Sequence, residues 1–198
     1  MAIPDDALTR LYDLIHSLPP GLQEHLHRVR DVAMDLASRH GVDAAKVELA
    51  ALGHDLLRAE SDERLMAQAR AVGLPVHPVE ERVPILLHGP LAAEKLRRQC
   101  GVTDPEVLEA VRWHSTSCAG MGRVGLVVFL ADKLDPHKAE GNPERRALVE
   151  VAMHDLEEAA LQYLTAEMQV LLQHGNLVHP ASVEARNYLL LKAAAPRR

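Results

Sequence analysis

Apolar residues along this chain recur at three- and four-residue spacing almost from end to end, and signals for β-strands are nearly absent. Between positions 21 and 40, Leu22, Leu26, Val29, Ala33 and Leu36 fall on one stripe, the pattern of a helix with a single face turned to a core. The same reading predicts helices over Pro4–Ser17, Gly21–His40, Ala44–Leu57, Asp62–Val72, Pro90–Cys100, Pro105–His114, Arg123–Leu134, Pro143–His174 and Ala181–Lys192. The fold class is therefore all-α. The main irregular segments are Gly73–Pro78 and Asp135–Asn142.

Punctuation residues support these boundaries. Gly41, Gly73, Gly101 and Gly175 each follow a periodic stretch, where a left-handed terminator is wanted. Pro105 and Pro143 follow Asp104 and Asn142, as first-turn prolines behind a capping side chain. No repeat or linker divides the chain, so 1–198 is expected to form one domain with a short N-terminal helix and C-terminal helices packed on it. The predicted 143–174 helix would be roughly 50 Å long. Packing within the monomer is its ordinary use, and a homodimer surface is the other.

Composition narrows the function. Phe, Tyr and Trp make up 3% of the chain and the net charge is −6. Without a long basic tract, that balance argues against a general nucleic-acid binder, and the tail Pro196-Arg197-Arg198 is too short to change this. Cys100 and Cys118 form no framework or CxxC pair, as a reducing cytosol would leave them. Met1–Asp6 lacks the pattern of a secretory signal, and no apolar run approaches the ~20 residues that span a bilayer. These features predict a soluble, cytoplasmic protein with no membrane partner.

The chemistry is concentrated where charged or nitrogenous side chains interrupt apolar segments. His54-Asp55 closes the stretch Val47–Gly53, and Asp132 ends Val127–Ala131. An ionised carboxylate in such a setting costs several kcal/mol or more unless a cation or strong donors compensate. His25 lies on the Leu22–Val29 stripe, whereas His27 falls off it; His88 ends Val83–Leu87, and His114 follows Val107, Ala110 and Val111 at helical offsets. Any one of these histidines taken alone reads as a core residue bonded to a backbone carbonyl. Four inward histidines and two inward aspartates on separate segments read instead as a site for two metal ions, with a bridging carboxylate holding them about 3.5–4 Å apart. His16, His40, His77, His154 and His174 read as surface or local contacts.

Taken together, these residues resemble the motif of the HD-domain metal-dependent phosphohydrolases: a first His (His25), an adjacent His-Asp (His54-Asp55) and a late Asp (Asp132), on a helical bundle. More closely, the chain resembles the YqeK-type branch, the symmetrical dinucleoside-tetraphosphate hydrolases of bacteria. The matching segments are His25–Val29, Ala50–Asp55, Leu87–Pro90, Trp113–Ser117 with Gly120-Met121, Ala131–Pro136, and His179-Pro180 with Arg186-Asn187. The resemblance implies an HD-domain helical bundle with one ion held by His25, His54, Asp55 and Asp132 and a second by Asp55, His88 and His114. It also implies transition metals, divalent or mixed-valent, with iron favoured and manganese the alternative. The implied reaction is cleavage of diadenosine tetraphosphate to two ADP, with Asp55 and His54 at the catalytic centre. Gly53 stands where the family commonly has a leucine or similar residue, and Lys133 where a tyrosine is frequent.

Two cations sharing a carboxylate lower the pKa of a bridging water enough to supply hydroxide at neutral pH and stabilise charge on the phosphoryl group. A polyphosphate approaching an acidic protein also needs local bases, and Lys133, Lys138 and Arg145 are the candidates, with Ser115 as a hydroxyl donor beside His114. The competing readings are an HD phosphohydrolase for nucleoside monophosphates or alarmones, and a non-catalytic helical module. The second typically loses ligands, and all six remain here.

Overall fold

The structure is a computed structural model that describes residues 3–140 and 142–194; the Pro196–Arg198 tail lies outside the described residues. Among the described residues there are helices and turns and no strand. In chain order the helices are α1 (Ala7–His16), α2 (Pro20–His40), α3 (Ala44–Gly53), α4 (Asp62–Ala71), α5 (Pro78–Arg82), a 3-10 turn (Pro84–Leu87), α6 (His88–Gln99), α7 (Pro105–Trp113), α8 (Arg123–Lys133), α9 (Pro136–Ala139), α10 (Pro143–His154), α11 (Leu156–Gln173) and α12 (Pro180–Ala194).

The centre of the bundle is α8, whose residues from Val124 to Asp132 are all buried. It is apolar all round because α2, α3, α7 and α11 each pack against it. Leu26, Val29, Ala33 and Leu36 of the α2 stripe enter the same core as Val127, Phe129 and Leu130. A smaller apolar cluster of Leu57, Leu65, Ala69, Leu87 and Leu91 seats α4 against the 3-10 turn and the start of α6.

Besides α9, a single turn inside the Asp135–Asn142 segment expected to be irregular, three boundaries depart from the sequence expectation. The single helix expected over Pro143–His174 is two helices. Asp155 is extended (φ −147, ψ 107) and its carboxylate accepts from Glu157 N and Glu158 N, so it caps α11 and ends α10 in the same residue. Before Pro90, where the next helix is expected to start, the chain already forms α5 and the 3-10 turn, and α6 begins at His88. The helix expected to run to Leu57 stops at Gly53, and the chain turns through 54–59. The last two differences share a consequence: they leave His54 at the end of α3 and His88 where the 3-10 turn passes into α6.

Candidate metal centre

Four histidines and two aspartates from α2, the end of α3, the start of α6, the end of α7 and α8 converge in the bundle. Three of the histidines are placed by one device. His54, His88 and His114 are the capping residues at the ends of α3, the 3-10 turn and α7. The last carbonyls of a helix have no partner within it. Each ring turns back on a carbonyl three residues earlier: His54 Nδ1 on Ala51 O at 2.7 Å, His114 Nδ1 on Val111 O at 2.7 Å, and His88 Nδ1 on Ile85 O, which also accepts from the His88 backbone N–H. A carbonyl only accepts, so Nδ1 carries the proton and Nε2 keeps its lone pair. The bond that satisfies the helix end therefore also fixes the tautomer and aims Nε2 at the centre.

His25 lies mid-helix in α2 and has no free carbonyl to use. Its Nδ1 donates instead to Asp135 Oδ2 at 2.7 Å, and Arg28, one turn along α2, donates to both oxygens of the same carboxylate (2.9 and 3.1 Å). Asp135 also caps α9 through His137 N at 3.1 Å.

The inward atoms form two groups around Asp55. His25 Nε2 is 3.5 Å from Asp55 Oδ2 and 3.3 Å from Asp132 Oδ1, and His54 Nε2 is 3.5 and 3.8 Å from the same two oxygens. On the other side, Asp55 Oδ1 is 2.9 Å from His88 Nε2 and 3.3 Å from His114 Nε2, and these two nitrogens are 2.9 Å apart. Ligands at about 2.1 Å from one ion lie about 3.0–3.4 Å from each other at octahedral or tetrahedral angles. The observed separations centre on that range.

The donor set fits cations for a further reason. With their Nδ1 protons directed to carbonyls, His88 and His114 turn their Nε2 atoms toward each other and toward a carboxylate oxygen, a contact that a shared cation makes favourable. His54 Nε2 is buried and has no hydrogen-bond partner. Burial pushes the His114 imidazole down to about 4, with the Asp55 contact opposing, and lowers His54 as well, so both are neutral near pH 7, the form in which an imidazole can bind a metal. At Asp55 burial works against ionisation, but His54, His114, His25 and His88 hold the carboxyl well below its usual range. Asp132 is held low in the same way by Lys133, His25 and further neighbours. Burial also opposes charge on His25, yet Asp132, Asp55 and Asp135 raise it to about 9.

The remaining candidates divide by position. Ser115 Oγ stands at the rim, 3.2 Å from His114 Nε2 and 3.4 Å from His88 Nε2. Lys133 is nearly buried. Its ammonium donates to Asp132 Oδ2 at 2.6 Å and His114 O at 3.1 Å, and sits 5.3 Å over the Phe129 ring. Lys138 donates to Asp132 Oδ1 at 2.6 Å and to Asp132 O, and its side chain is 41% exposed. Arg145 does not reach the cluster; it donates to Lys133 O at 2.9 Å, at the end of α8. His27 stacks on Tyr12 away from the centre. His77 and His174 make local contacts, to Val79 N and Val170 O, whereas His40 bonds Ala152 O at 2.7 Å and so joins α2 to α10.

Two functional residues escaped the sequence reading, Asp135 and Arg28. Asp135 lies in a turn where no periodicity marks it. Its signal was Asp-Pro, the same pair that marks the cap at Asp104-Pro105. Gly89 is a third: a Cβ there would lie 2.8 Å from Arg112 O, 3.1 Å from Val111 O and 3.2 Å from His114 Cε1. Its bare Cα lets α6 approach the end of α7 closely enough for His88 to meet His114.

The family described as HD domain matches residues 22–137, which span the segments carrying all six of these side chains. The chain is 31% identical over 167 residues to the bis(5'-nucleosyl)-tetraphosphatase, symmetrical, of Bacillus subtilis (strain 168), covering 84% of this chain and 88% of that protein. It is 30% identical over 177 residues to the protein of the same name from Halalkalibacterium halodurans, covering 87% of this chain and 93% of that one. A crystal structure from Clostridium acetobutylicum, described as a predicted HD superfamily hydrolase involved in NAD metabolism, superposes with a TM-score of 0.87 at 25% identity. The superposition covers 93% of this chain and 96% of that chain.

Proposed function

The chain belongs to the HD domain family, and on that premise we propose that it is a metal-dependent hydrolase cleaving dinucleoside tetraphosphates symmetrically to two nucleoside diphosphates. The observation that carries the reading is the split use of Asp55, whose Oδ2 faces His25 and His54 and whose Oδ1 faces His88 and His114. One ion would be held by His25, His54, Asp55 and Asp132, the other by Asp55, His88 and His114. Divalent cations bound there supply Lewis acidity toward phosphoryl oxygens and lower the pKa of a bound water. Four imidazoles favour a transition metal over magnesium, and iron, with manganese as the alternative, suits a mixed nitrogen and carboxylate set.

The chain's own residues do the rest. The three carbonyl-bound histidines keep their ring orientation without help from solvent, which pre-organises the ligand atoms. Lys133 and Lys138 both pair with Asp132 and Arg28 pairs with Asp135, so three side-chain cations offset the three carboxylates in number, while Asp55 faces the four histidines. The charge of the bound cations is thus left over to attract a polyphosphate into an otherwise acidic protein. Ser115 Oγ, at the rim, donates to a phosphate oxygen. Lys138 is the lysine on Asp132 with exposure enough to meet substrate, whereas Lys133 orients the carboxylate and the end of α7.

No helix among the described residues is long and apolar enough to cross a membrane. Cys100 and Cys118 are free thiols, which supports a reducing, cytoplasmic setting. The names of the relatives from Bacillus subtilis and Halalkalibacterium halodurans support the choice of substrate. The test is to incubate the iron- or manganese-loaded protein with diadenosine tetraphosphate and a panel of nucleotides and separate the products. Two ADP per substrate is the expected result. Release of AMP with ATP would overturn the symmetric cleavage, and phosphate with nucleoside from a monophosphate would replace the substrate class.

A further inference from the structure

A concave feature lies beyond the end of α8 that carries Asp132, lined by none of the six side chains of the candidate centre. A groove of about 370 Å³ runs between α10 and α11, walled by Leu148, Val170 and the Tyr163 ring and rimmed by Arg145, Gln162 and Glu167. Small-molecule pockets span about 300–1,000 Å³, so this one suits a fragment of nucleoside size and not a whole dinucleotide.

The groove is coupled to the candidate site by contacts. The Tyr163 ring meets Phe129 edge-on at 5.6 Å; Phe129 lies under the Lys133 ammonium, which bonds Asp132 Oδ2. At the near end, Arg145 donates to the carbonyl of Lys133, the residue after Asp132. Its guanidinium therefore lies within about 10 Å of the Asp132 Cα, from the spacing of successive Cα atoms and the reach of one carbonyl.

The lining divides by chemistry along the same axis. The aromatic ring and the aliphatic side chains suit the faces of a flat heterocycle. Glu167 accepts from the Tyr163 hydroxyl through one oxygen at 3.3 Å. That leaves its other oxygen, with the exposed Gln162 amide, to accept from a base edge bearing an amino group. The guanidinium stands at the end nearer the ligand cluster, where phosphates would leave the groove.

We propose that this groove binds one nucleoside of the substrate, the base against Tyr163 and the first phosphate toward Arg145, so that the polyphosphate chain leads to the ions. The inference rests on the dinucleoside-polyphosphate reading above and assigns one of the two nucleoside subsites that such a substrate needs.

The test uses Ala166→Trp, since Ala166 is exposed and lines the groove, so an indole there fills the groove without entering the core. Binding of ADP and of inorganic tetraphosphate, which carries no nucleoside, would be measured by calorimetry on the manganese-loaded protein. The KM for diadenosine tetraphosphate would be measured in parallel. The proposal expects ADP affinity to fall and KM to rise by roughly tenfold or more, with tetraphosphate affinity retained. Gln162→Ala, a smaller change at an exposed position, should weaken ADP in the same direction. ADP binding at the wild-type affinity in both variants would overturn the proposal, as would an equal loss of tetraphosphate binding. If ADP binding weakens as expected but the wild type yields no ADP from diadenosine tetraphosphate, the proposed function fails while the nucleoside site stands.

Discussion

Gly89→Ala probes the close approach that makes the second ligand group. The added Cβ would lie 2.8 Å from Arg112 O, 3.1 Å from Val111 O and 3.2 Å from His114 Cε1, against 3.4 Å for ordinary contact. Two of these neighbours are backbone carbonyls at the end of α7, and neither can rotate away. Relief requires the start of α6 to move from the end of α7 by about 0.6 Å, the difference between 2.8 and 3.4 Å. A metal site tolerates about 0.5 Å of displacement before its geometry is lost, and the residue carried along is His88, the adjacent position in α6. Overpacking of this size costs about 1–3 kcal/mol, and the higher helix propensity of alanine returns up to about 1 kcal/mol. The net loss of about 0–3 kcal/mol leaves the chain folded, with Tm lower by at most about 12 °C for a chain of this length. Manganese titration followed by calorimetry should therefore show the ion held by His25, His54, Asp55 and Asp132 bound as in the wild type. The ion held by His88 and His114 should be weakened by about 10–100-fold, the loss expected when the support of a ligand is disturbed. Two ions bound at wild-type affinity by a folded Gly89→Ala protein would refute the reasoning.

Asp135→Asn should leave the fold intact but lower affinity for the ion bound by His25 by about 10–100-fold, because the carboxylate orienting that ring is gone and Arg28 loses its partner; an unchanged manganese isotherm would contradict this. His54→Ala should abolish turnover while circular dichroism stays helical, whereas His27→Ala, which loses only the stacking on Tyr12, should keep a near-normal rate. Asp104→Ala removes the cap on α7, where the carboxylate accepts from Glu106 N and Val107 N, and should cost about 1–2 kcal/mol. Burial alone would raise the Asp104 carboxyl, but Lys46 and the capped N–H groups hold it below its usual range. Its contribution is therefore complete above the unfolded pKa of about 3.9 and is lost as pH falls through the lower native value. Melts of wild type and variant between pH 7 and 3 should converge only at the acid end, and a gap that persists unchanged to pH 3 would contradict the sign.

Periodicity was enough to read the bundle because a helix buried on one side must repeat its apolar residues every turn. It gave α2 and α8 with their inward His25 and Asp132. It failed at Asp155, where apolar residues continue in phase on both sides of the break; the local signal there was Asp155 followed by Glu158, the spacing of a capping pair. The six inward side chains were legible because each interrupts an apolar segment. Their orientation was not, since for His54, His88 and His114 it depends on which carbonyl each ring can reach, and that is decided by where α3, the 3-10 turn and α7 stop. Asp135 and Arg28 were hidden for a related reason: an ion pair between α2 and a turn more than a hundred residues later leaves no trace in local pattern. The departure at Gly53 has a packing account. A Cβ there would meet the Leu96 side chain at 2.7 Å, so the glycine accommodates a larger neighbour on α6.

The most direct test of the two-ion centre is the metal stoichiometry of the protein after anaerobic reconstitution with iron, measured beside His88→Ala. The account predicts two ions per chain in the wild type and one in the variant. A single ion in both would contradict it.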